Sequence, residues 1–261
     1  MRTAAMYDAQ QAGDGTGDRA DQAGDGPSRD ASPGIWRHLV APTPEAAVAA
    51  ATRAVLLGVR DRLAAGADRV TVGLTGGGAG SAITRALGDV ADAPWDRVDL
   101  WYGDERWVRV DDPERNDAVA RDVLRRHPDG IGRARLHPAP QPAAGSNDPD
   151  VAARALAADL PDRFDVLVLG VGPDGHVASL FPDRAWAVDP AADAFAVRDS
   201  PKPPLVRLTV SMAMIRRSRR VVLVAVGAAK AAAVRGVLAG DPALPAMHAT
   251  GVESTLLVST A

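Results

Sequence analysis

Four short apolar runs, each followed by a helical pattern, constrain the fold of this 261-residue chain more than any other feature. Two of them, FDVLVLG at 164–170 and RRVVLVAV at 219–226, are apolar almost throughout and do not alternate with polar residues. Such runs are typical of strands that helices cover on both faces of a parallel sheet. Together with RVTVGL at 69–74 and RVDLWY at 97–102, they predict an α/β fold, with a mostly parallel Rossmann-like sheet flanked by helices.

The first 33 residues have a different composition from the rest. They are rich in Gly, Asp, Gln, Ala and Ser and have little apolar periodicity, so we expect residues 1–33 to be a disordered leader. Residues 44–65 then predict an amphipathic helix. Strand and helix signals continue on both sides of the Pro-rich segments 137–149 and 200–204. We therefore expect a single α/β domain over residues 34–261.

Composition narrows the range of partners and locations. A formal net charge of -3 at pH 7 provides no basic field for nucleic acid or an anionic membrane, so neither is expected as a partner. No apolar run approaches the ~20 residues that span a bilayer, and the N-terminus lacks a secretory signal pattern. The absence of cysteine excludes disulfides and thiolate metal sites. We expect a cytoplasmic protein with a small soluble ligand, and the sequence leaves its oligomeric state open.

Three consecutive glycines follow the first of the four predicted strands. In LTGGGAGSAITRAL the strand ends at Leu74, Gly76, Gly77 and Gly78 come shortly after it, and a helix is expected to start near Ser81. Backbone N–H groups in such a turn converge at a helix N-terminus, where the helix dipole favours an anion. The spacing matches neither a Walker loop nor G-x-G-x-x-G. The segment predicts a phosphate site, and a tight turn without a ligand is the alternative.

A charged triplet, Asp104, Glu105 and Arg106, comes directly after the second strand, and Asn116 precedes the next helix. The carboxyl end of a strand is where a parallel sheet binds its ligands. The arginine fork suits a phosphate or the developing charge of an oxyanion. Solvated loop charge with internal ion pairs is the competing interpretation.

A single histidine, His176, follows the third strand and a Gly-x-Gly-Pro-Asp-Gly turn. Because histidine titrates near neutrality, His176 is the candidate general base. No second histidine or carboxylate lies around it at metal-ligand spacing, so no metal site is predicted. A helix-capping or core histidine is the alternative. Four other histidines lie in weak contexts and are expected at the surface: His38, His127, His137 and His248.

The fourth strand is followed by Lys230, one of only two lysines in the chain. It opens a predicted helix, where an ammonium group can pair with a bound phosphate. A surface helix cation is the alternative.

In this order the segments resemble the 6-phosphogluconolactonase family, in the superfamily that includes glucosamine-6-phosphate deaminase, from about Trp36 to the C-terminus. The most specific match is GVGPDGHVASLFP, which is similar to the family signature Gly-x-Gly-x-Asp-Gly-His-x-Ala-Ser-Leu-Phe-Pro. GDERWV resembles its Asp-Glu-Arg motif, SPKPPLVRLTV its Pro-Pro-x-x-Arg-x-Thr strand, and VAVGAAKAAAVRGVL its Gly-x-x-Lys segment.

The resemblance implies an isomerase and CoA-transferase-like sheet, no cofactor, and a phosphorylated sugar lactone as substrate. The implied reaction is hydrolysis of 6-phospho-D-glucono-1,5-lactone in the oxidative branch of the pentose phosphate pathway, with His176 activating water. The substrate phosphate would be held by the glycine segment together with Ser81, by Arg207 and by Lys230.

Other roles follow from the same resemblance. Arg106 would supply the counter-charge for the tetrahedral oxyanion. Asp174 would shape its turn and hydrogen-bond either the imidazole or a sugar hydroxyl, and Asp104 would orient either Arg106 or a sugar hydroxyl.

The chain departs from the family pattern at several positions, among them Pro173, which stands where an acidic residue is frequent, and the C-terminal end, which lacks the usual aromatic and acidic residues. Residues 75–80 read Thr-Gly-Gly-Gly-Ala-Gly where Ser-Gly-Gly-Ser-Thr-Pro is usual, so phosphate binding would depend more on backbone groups. Arg115 precedes Asn116 where serine is usual.

Two other functions compete with the lactonase. A deaminase pattern would continue after the histidine through Ala-Phe-Asn-Glu-Pro, and this chain has Ala-Ser-Leu-Phe-Pro at 178–182, without the glutamate. A non-catalytic sugar-phosphate sensor would commonly carry a DNA-binding segment, and the acidic leader has no basic cluster.

Overall fold

The computed structural model describes residues 34–144, 147–184 and 191–260, which belong to one compact unit. The leader predicted for residues 1–33 lies outside the described residues, so the boundary between leader and domain stays a prediction.

The strands in chain order are β1 (Ile35–Ala41), β2 (Val70–Leu74), β3 (Val98–Tyr102), β4 (Asp104–Arg106), β5 (Arg135–Leu136), β6 (Val166–Gly170), β7 (Ala194–Val197), β8 (Arg207–Val210), β9 (Arg220–Ala225) and β10 (Ser254–Thr260). The helices are α1 (Pro44–Ala64), α2 (Gly77–Gly88), α3 (Asp117–Arg126), α4 (Pro149–Asp159), α5 (Met212–Arg217), α6 (Ala231–Leu238) and α7 (Pro245–His248). Short 3-10 turns cover Trp95–Arg97, Ile131–Arg133 and Ala228–Lys230.

Seven of these strands form one sheet in the order β1-β10-β9-β6-β2-β3-β5, and every pair in it is parallel. This confirms the predicted α/β fold with a parallel sheet. The four apolar runs become β2, β3, β6 and β9, each within two residues of its predicted bounds.

The two faces of the sheet pack into separate cores, which explains the continuous apolar runs. On β6, Val166 and Val168 pack into the core beneath α1 and α2, whereas Leu167 and Leu169 pack into the core beneath α5 and α6. All four side chains are at most 1% exposed. Because successive strand residues point to opposite faces, a sheet covered on both sides needs apolar residues at every position.

Helix α1 begins as its sequence predicts. Thr43 is its N-cap and accepts a hydrogen bond from the backbone N–H of Ala46 at 3.2 Å, and Pro44 occupies the first turn, where a missing N–H costs nothing. Its end at Ala64 lies one residue from the predicted end.

The charged triplet does not form a solvated loop. Residues 104–106 form β4, the edge of a second, antiparallel sheet in the order β4-β8-β7. Asp104 is 6% exposed and Glu105 is 1% exposed. The prediction missed this strand because its partner β8 lies about a hundred residues away in the sequence.

Within the part of the chain that the structure describes, no helix has both the length and the apolar character needed to cross a membrane.

Candidate active site

A cleft of about 710 Å³ opens beyond the carboxyl ends of β2, β6 and β9. Strands β2 and β6 are neighbours in the sheet, and the chain builds outward from them in opposite directions. Such a reversal of strand order leaves a crevice in which open α/β sheets bind ligands. One wall is apolar and comes from α1, α2 and β9, and the rest is formed by glycines and charged residues. The cleft is lined by Pro44, Glu45, Val48, Ala49, Thr75, Gly76, Gly77, Gly78, Ala79, Gly80, Ala82, Ala86, Asp104, Arg106, Asn116, Gly170, Val171, Gly172, His176, Ala178, Arg207, Val224, Val226 and Lys230.

The glycine segment forms the N-terminus of α2 at the floor of this cleft. The helix begins at Gly77, with Gly76 as an N-cap that has no side chain to satisfy the first N–H groups. Gly77 has a φ of +73°, which favours glycine, and a Cβ on Gly78 would meet no atom within 4 Å. A turn of unsatisfied N–H groups therefore opens onto free space, as an anion site requires.

The predicted helix start near Ser81 is wrong. Because α2 begins four residues earlier, Ser81 lies in its second turn, and it is not among the residues that line the cleft. The glycines were read as a turn before the helix, although three of them form its first turn or its cap.

His176 is held in the cleft by a glycine turn. The N–H of Gly172 donates to the carbonyl of His176 at 2.8 Å, and the N–H of Gly175, at a φ of +82°, donates to the carbonyl of Gly172 at 3.0 Å. A Cβ on Gly172 would lie 2.0 Å from Nδ1 of His176. The imidazole therefore packs directly over this glycine, and no larger residue fits there.

Asp174 determines which nitrogen of His176 is available. Its Oδ1 lies 2.5 Å from Nδ1 of His176, a hydrogen bond that holds the proton on Nδ1 and leaves the Nε2 lone pair free. Burial lowers the pKa of His176 below its ordinary value of 6.5, although the charges of Asp174 and Asp104 act in the opposite direction. The ring of Phe181 lies 4.8 Å from the imidazole, centre to centre. A neutral, oriented imidazole is the form that a general base needs.

Asp104 is fixed on one side of the cleft by neutral donors. The hydroxyl of Ser179 donates to its Oδ2 at 2.7 Å, and Nδ2 of Asn116 donates to its backbone carbonyl at 2.8 Å. The nearest guanidinium atom in an ion pair with it is Nη1 of Arg207, at 3.9 Å from Oδ2. Asp104 therefore faces Arg207, and no ion pair between Asp104 and Arg106 occurs.

One guanidinium nitrogen of Arg106 donates a hydrogen bond within the protein, and another has no hydrogen-bond partner among the described residues. Its Nη1 donates to the carbonyl of Glu114 at 2.5 Å. Its Nε is buried and has no hydrogen-bond partner among residues 34–144, 147–184 and 191–260. A buried donor without a partner is costly, and few occur in folded proteins.

Arg207 and Lys230 provide two further cationic groups. Arg207 is 7% exposed and is braced by the loop before β8, since Nε donates to the carbonyl of Pro204 and Nη2 to that of Lys202, both at 3.0 Å. Lys230 is the N-cap residue of α6, as the sequence predicts. Burial, followed by the charge of Lys202, lowers the pKa of Lys230.

The structure thus brings most predicted site residues to one cleft. Gly76, Gly77, Gly78, Asp104, Arg106, His176, Arg207 and Lys230 all line it. Asp174 contacts the far side of the imidazole and does not line the cleft itself. Two further lining residues, Thr75 and Asn116, were not predicted as site residues. Thr75 comes directly before the glycines, which is the one signal that could have drawn attention to it.

In the described part of the chain, no three or more His, Cys, Asp or Glu side chains are arranged to hold a metal ion.

Comparison with known proteins identifies relatives of the same kind along most of the chain. Residues 42–258 match the family model described as glucosamine-6-phosphate isomerases/6-phosphogluconolactonase. The chain is 40% identical to the 6-phosphogluconolactonase of Mycobacterium leprae over 205 residues, which cover 72% of this chain and 81% of the relative. It is 39% identical to the 6-phosphogluconolactonase of Mycobacterium tuberculosis over 228 residues, which cover 82% and 92% respectively.

Solved structures of similar proteins have the same fold. A 6-phosphogluconolactonase from Leishmania guyanensis superposes with a TM-score of 0.70 at 26% identity and covers 87% of this chain and 96% of its own. A putative 6-phosphogluconolactonase from Neisseria gonorrhoeae superposes with a TM-score of 0.74, covering 87% and 100%, and at 20% identity it supports the fold alone. Because the family model spans most of the chain and the relatives exceed 30% identity, this chain belongs to the glucosamine-6-phosphate isomerase/6-phosphogluconolactonase family.

Proposed function

We propose that this protein hydrolyses 6-phospho-D-glucono-1,5-lactone to 6-phosphogluconate, the oxidative-branch reaction of the pentose phosphate pathway, with His176 as the general base. One observation carries the proposal. The oriented imidazole of His176, the guanidinium of Arg106 and the open N-terminus of α2 all line one cleft. Lactone hydrolysis needs these three groups, namely a base for water, a counter-charge for the oxyanion and an anchor for the phosphate.

The substrate phosphate would bind at the N-terminus of α2. It would accept hydrogen bonds from the N–H groups of Gly76, Gly77 and Gly78, with Lys230 and Arg207 as counter-ions. Ser81 is left out of this set, since it does not line the cleft. The phosphate carries nearly two negative charges, so two cations and a helix N-terminus are a suitable complement.

The chemical step then uses His176 and Arg106. Nε2 of His176 removes a proton from water while the water oxygen forms a bond to the lactone carbonyl carbon, and the carbonyl oxygen gains the negative charge. The guanidinium of Arg106 would donate to that oxygen. When the tetrahedral intermediate collapses, the bond to the ring oxygen breaks and the imidazolium returns its proton to that oxygen. Asp174 stays ionised and stabilises the imidazolium meanwhile.

The same cleft could receive an amino-sugar phosphate, and a deaminase remains the nearest rival. Deamination needs a further carboxylate to assist the histidine, and the chain has no glutamate at residues 178–182. The hydroxyl of Ser179 in that segment donates to Asp104 at 2.7 Å. These features favour the lactonase. A sensor without catalytic activity would have no use for the His176–Asp174 pair.

The cytoplasmic location expected from the sequence is part of this proposal, as is a phosphorylated sugar lactone as the specific ligand.

The proposal is tested by assaying the purified protein with the lactone and, separately, with glucosamine 6-phosphate. Freshly generated lactone is followed by coupling its product to 6-phosphogluconate dehydrogenase, and glucosamine 6-phosphate is followed by ammonia release. We expect lactone hydrolysis well above the spontaneous rate and no ammonia. Ammonia release without lactone hydrolysis would overturn the proposal, and binding of either compound without turnover would favour the sensor.

A further inference from the structure

Glu105 lies between two residues of the candidate site but does not line the cleft. Asp104 and Arg106 precede and follow it on β4, and both line the cleft. Because side chains alternate along a strand, that of Glu105 points the other way. It is 1% exposed, one of the most deeply buried carboxyl groups among the described residues.

Both carboxyl oxygens of Glu105 accept hydrogen bonds from backbone N–H groups. Burial raises the pKa of Glu105 to about 7, although the N–H groups of Asn116 and Asp117 and the charge of Arg115 act in the opposite direction. Oε1 accepts from the N–H of Arg106 at 2.8 Å and from the N–H of Asn116 at 2.7 Å, and Oε2 accepts from the N–H of Asp117 at 3.0 Å. Asn116 and Asp117 form the N-terminus of α3, whose first N–H groups have no partner within the helix. One side chain therefore joins β4 to the start of α3.

Arg115 secures this junction from the other side. Its guanidinium is 1% exposed, and Nε lies 3.1 Å from Oδ1 of Asp117 and 3.9 Å from Oε2 of Glu105. Its Nη1 donates to the carbonyl of Val108 at 3.1 Å, and its Nη2 donates to the carbonyl of Ala139. A buried charge is tolerated only when it is paired and hydrogen-bonded, and here both requirements are met.

The segment held in this way carries the groups that orient Arg106 and Asp104. The carbonyl of Glu114 accepts from Nη1 of Arg106, and the side chain of Asn116 donates to the carbonyl of Asp104. The same Asn116 side chain packs against Gly76, where an added Cβ would lie 1.9 Å from its Oδ1. A shift of this segment would therefore move Arg106 relative to the glycine floor of the cleft.

We propose that Glu105 is a positioning residue, whose buried carboxyl group, held against Arg115, keeps Arg106 in place for the reacting carbonyl oxygen. The inference rests on the proposed lactonase function. Glu105 touches no substrate and acts through Arg106, so its removal changes the chemical step more than it changes substrate binding.

The first experiment measures kcat and KM of Glu105→Gln. This variant keeps the size of the side chain and one carbonyl oxygen, but it replaces the other acceptor by an N–H donor facing Asp117. We expect kcat to fall about 10- to 100-fold, since a misplacement near 1 Å can cost about that much, with KM changed less than about threefold. Glu253→Gln is the matched control, because Glu253 is exposed and pairs with Arg219 at the opposite end of the sheet. Its kcat should equal that of the wild type.

A double-mutant cycle then separates positioning from a general structural role. In an Arg106→Ala background, Glu105→Gln should lower kcat by less than about threefold, because the group it positions is already absent. Loss of kcat by the same factor in both backgrounds would overturn the inference, and so would an unchanged kcat in the single variant.

Arg115→Lys provides the second route if Glu105→Gln fails to fold. It keeps the positive charge but cannot span the contacts to Val108 and Ala139, so we expect a several-fold loss of kcat that disappears in the Arg106→Ala background. A loss that persists there would contradict the inference. If the wild-type protein did not hydrolyse the lactone, the proposed function itself would be contradicted. Failure of the proposed function can therefore be told apart from failure of the inference about Glu105.

Discussion

At the scale of single residues, the site depends on which nitrogen of His176 faces the cleft. Asp174 accepts from Nδ1, and Gly172 leaves the space in which the ring lies. The proximity of this pair could be predicted from the sequence, because one glycine separates the two residues in a tight turn, but the sequence left open whether Asp174 bonds the imidazole or a sugar hydroxyl. Other contacts could not be predicted in this way. Ser179 and Asp104 are 75 residues apart, and nothing in either segment indicates the other.

The pKa of His176 leads to a pH prediction. Burial lowers this pKa below 6.5. As the pH falls, kcat/KM should therefore drop to half its maximum only at a pH below 6.5. The charge of Asp174 raises the pKa of His176, so Asp174→Asn should move the acid limb to a still lower pH. Its kcat should fall about 10²- to 10⁴-fold, because the orientation and tautomer of the imidazole are lost.

The measurement is a pH profile of both enzymes, with Asp92→Asn, an exposed loop variant, as the control. An acid limb that moves to higher pH in Asp174→Asn would show that Asp174 does not act on His176 in this way.

At the scale of elements, the N-terminus of α2 is predicted to hold the phosphate. Gly78→Asp puts a carboxylate into the space where the phosphate would bind, since a Cβ there meets no atom within 4 Å. We expect KM to rise at least about tenfold with little change in kcat. Thermal stability should stay the same or rise slightly, because an acidic side chain in the first turn suits the helix dipole.

Gly78→Ala is the matched control for this variant, and its KM should stay near that of the wild type. If Gly78→Asp left KM unchanged, the phosphate would have to bind elsewhere in the cleft.

The elements themselves differ in how well the sequence predicts them. Strands β6 and β9 are covered on both faces, so their apolar runs are a clear signal. Strand β1 is the edge of the sheet, and six of its seven residues are exposed, so its sequence IWRHLVA has no continuous apolar run. All three residues of strand β4 are charged, and it forms only because β8 pairs with it. His137 was expected at the surface, yet it stacks on Trp101 with its ring 3.9 Å away.

At the scale of the whole molecule, the site is assembled from loops that follow separate strands across the described residues. The residues that line the cleft run from Pro44 to Lys230, and the parallel sheet brings their loops together at one edge. The order of the strands could not be derived from the sequence, because apolar runs indicate strands but not their neighbours. The cleft was predicted from the general rule that ligands bind beyond the carboxyl ends of parallel strands.

This organisation predicts that residues 1–33 are dispensable for catalysis. A chain that starts at Gly34 keeps β1 and every residue that lines the cleft. Its kcat and KM should match those of the full chain within about twofold, and its melting temperature should be unchanged. A large loss of activity with unchanged stability would assign the leader a role in the site.

The most direct test of the account compares lactone hydrolysis by the wild type, His176→Ala and His38→Ala, each corrected for the spontaneous rate. His38 is exposed on β1 and does not line the cleft, so its substitution controls for the loss of a histidine. We expect His38→Ala to keep wild-type kcat, whereas His176→Ala should lose about 10²- to 10⁴-fold and remain folded. Wild-type kcat in folded His176→Ala would contradict the role of His176 as the general base, because the water would then be activated by another group.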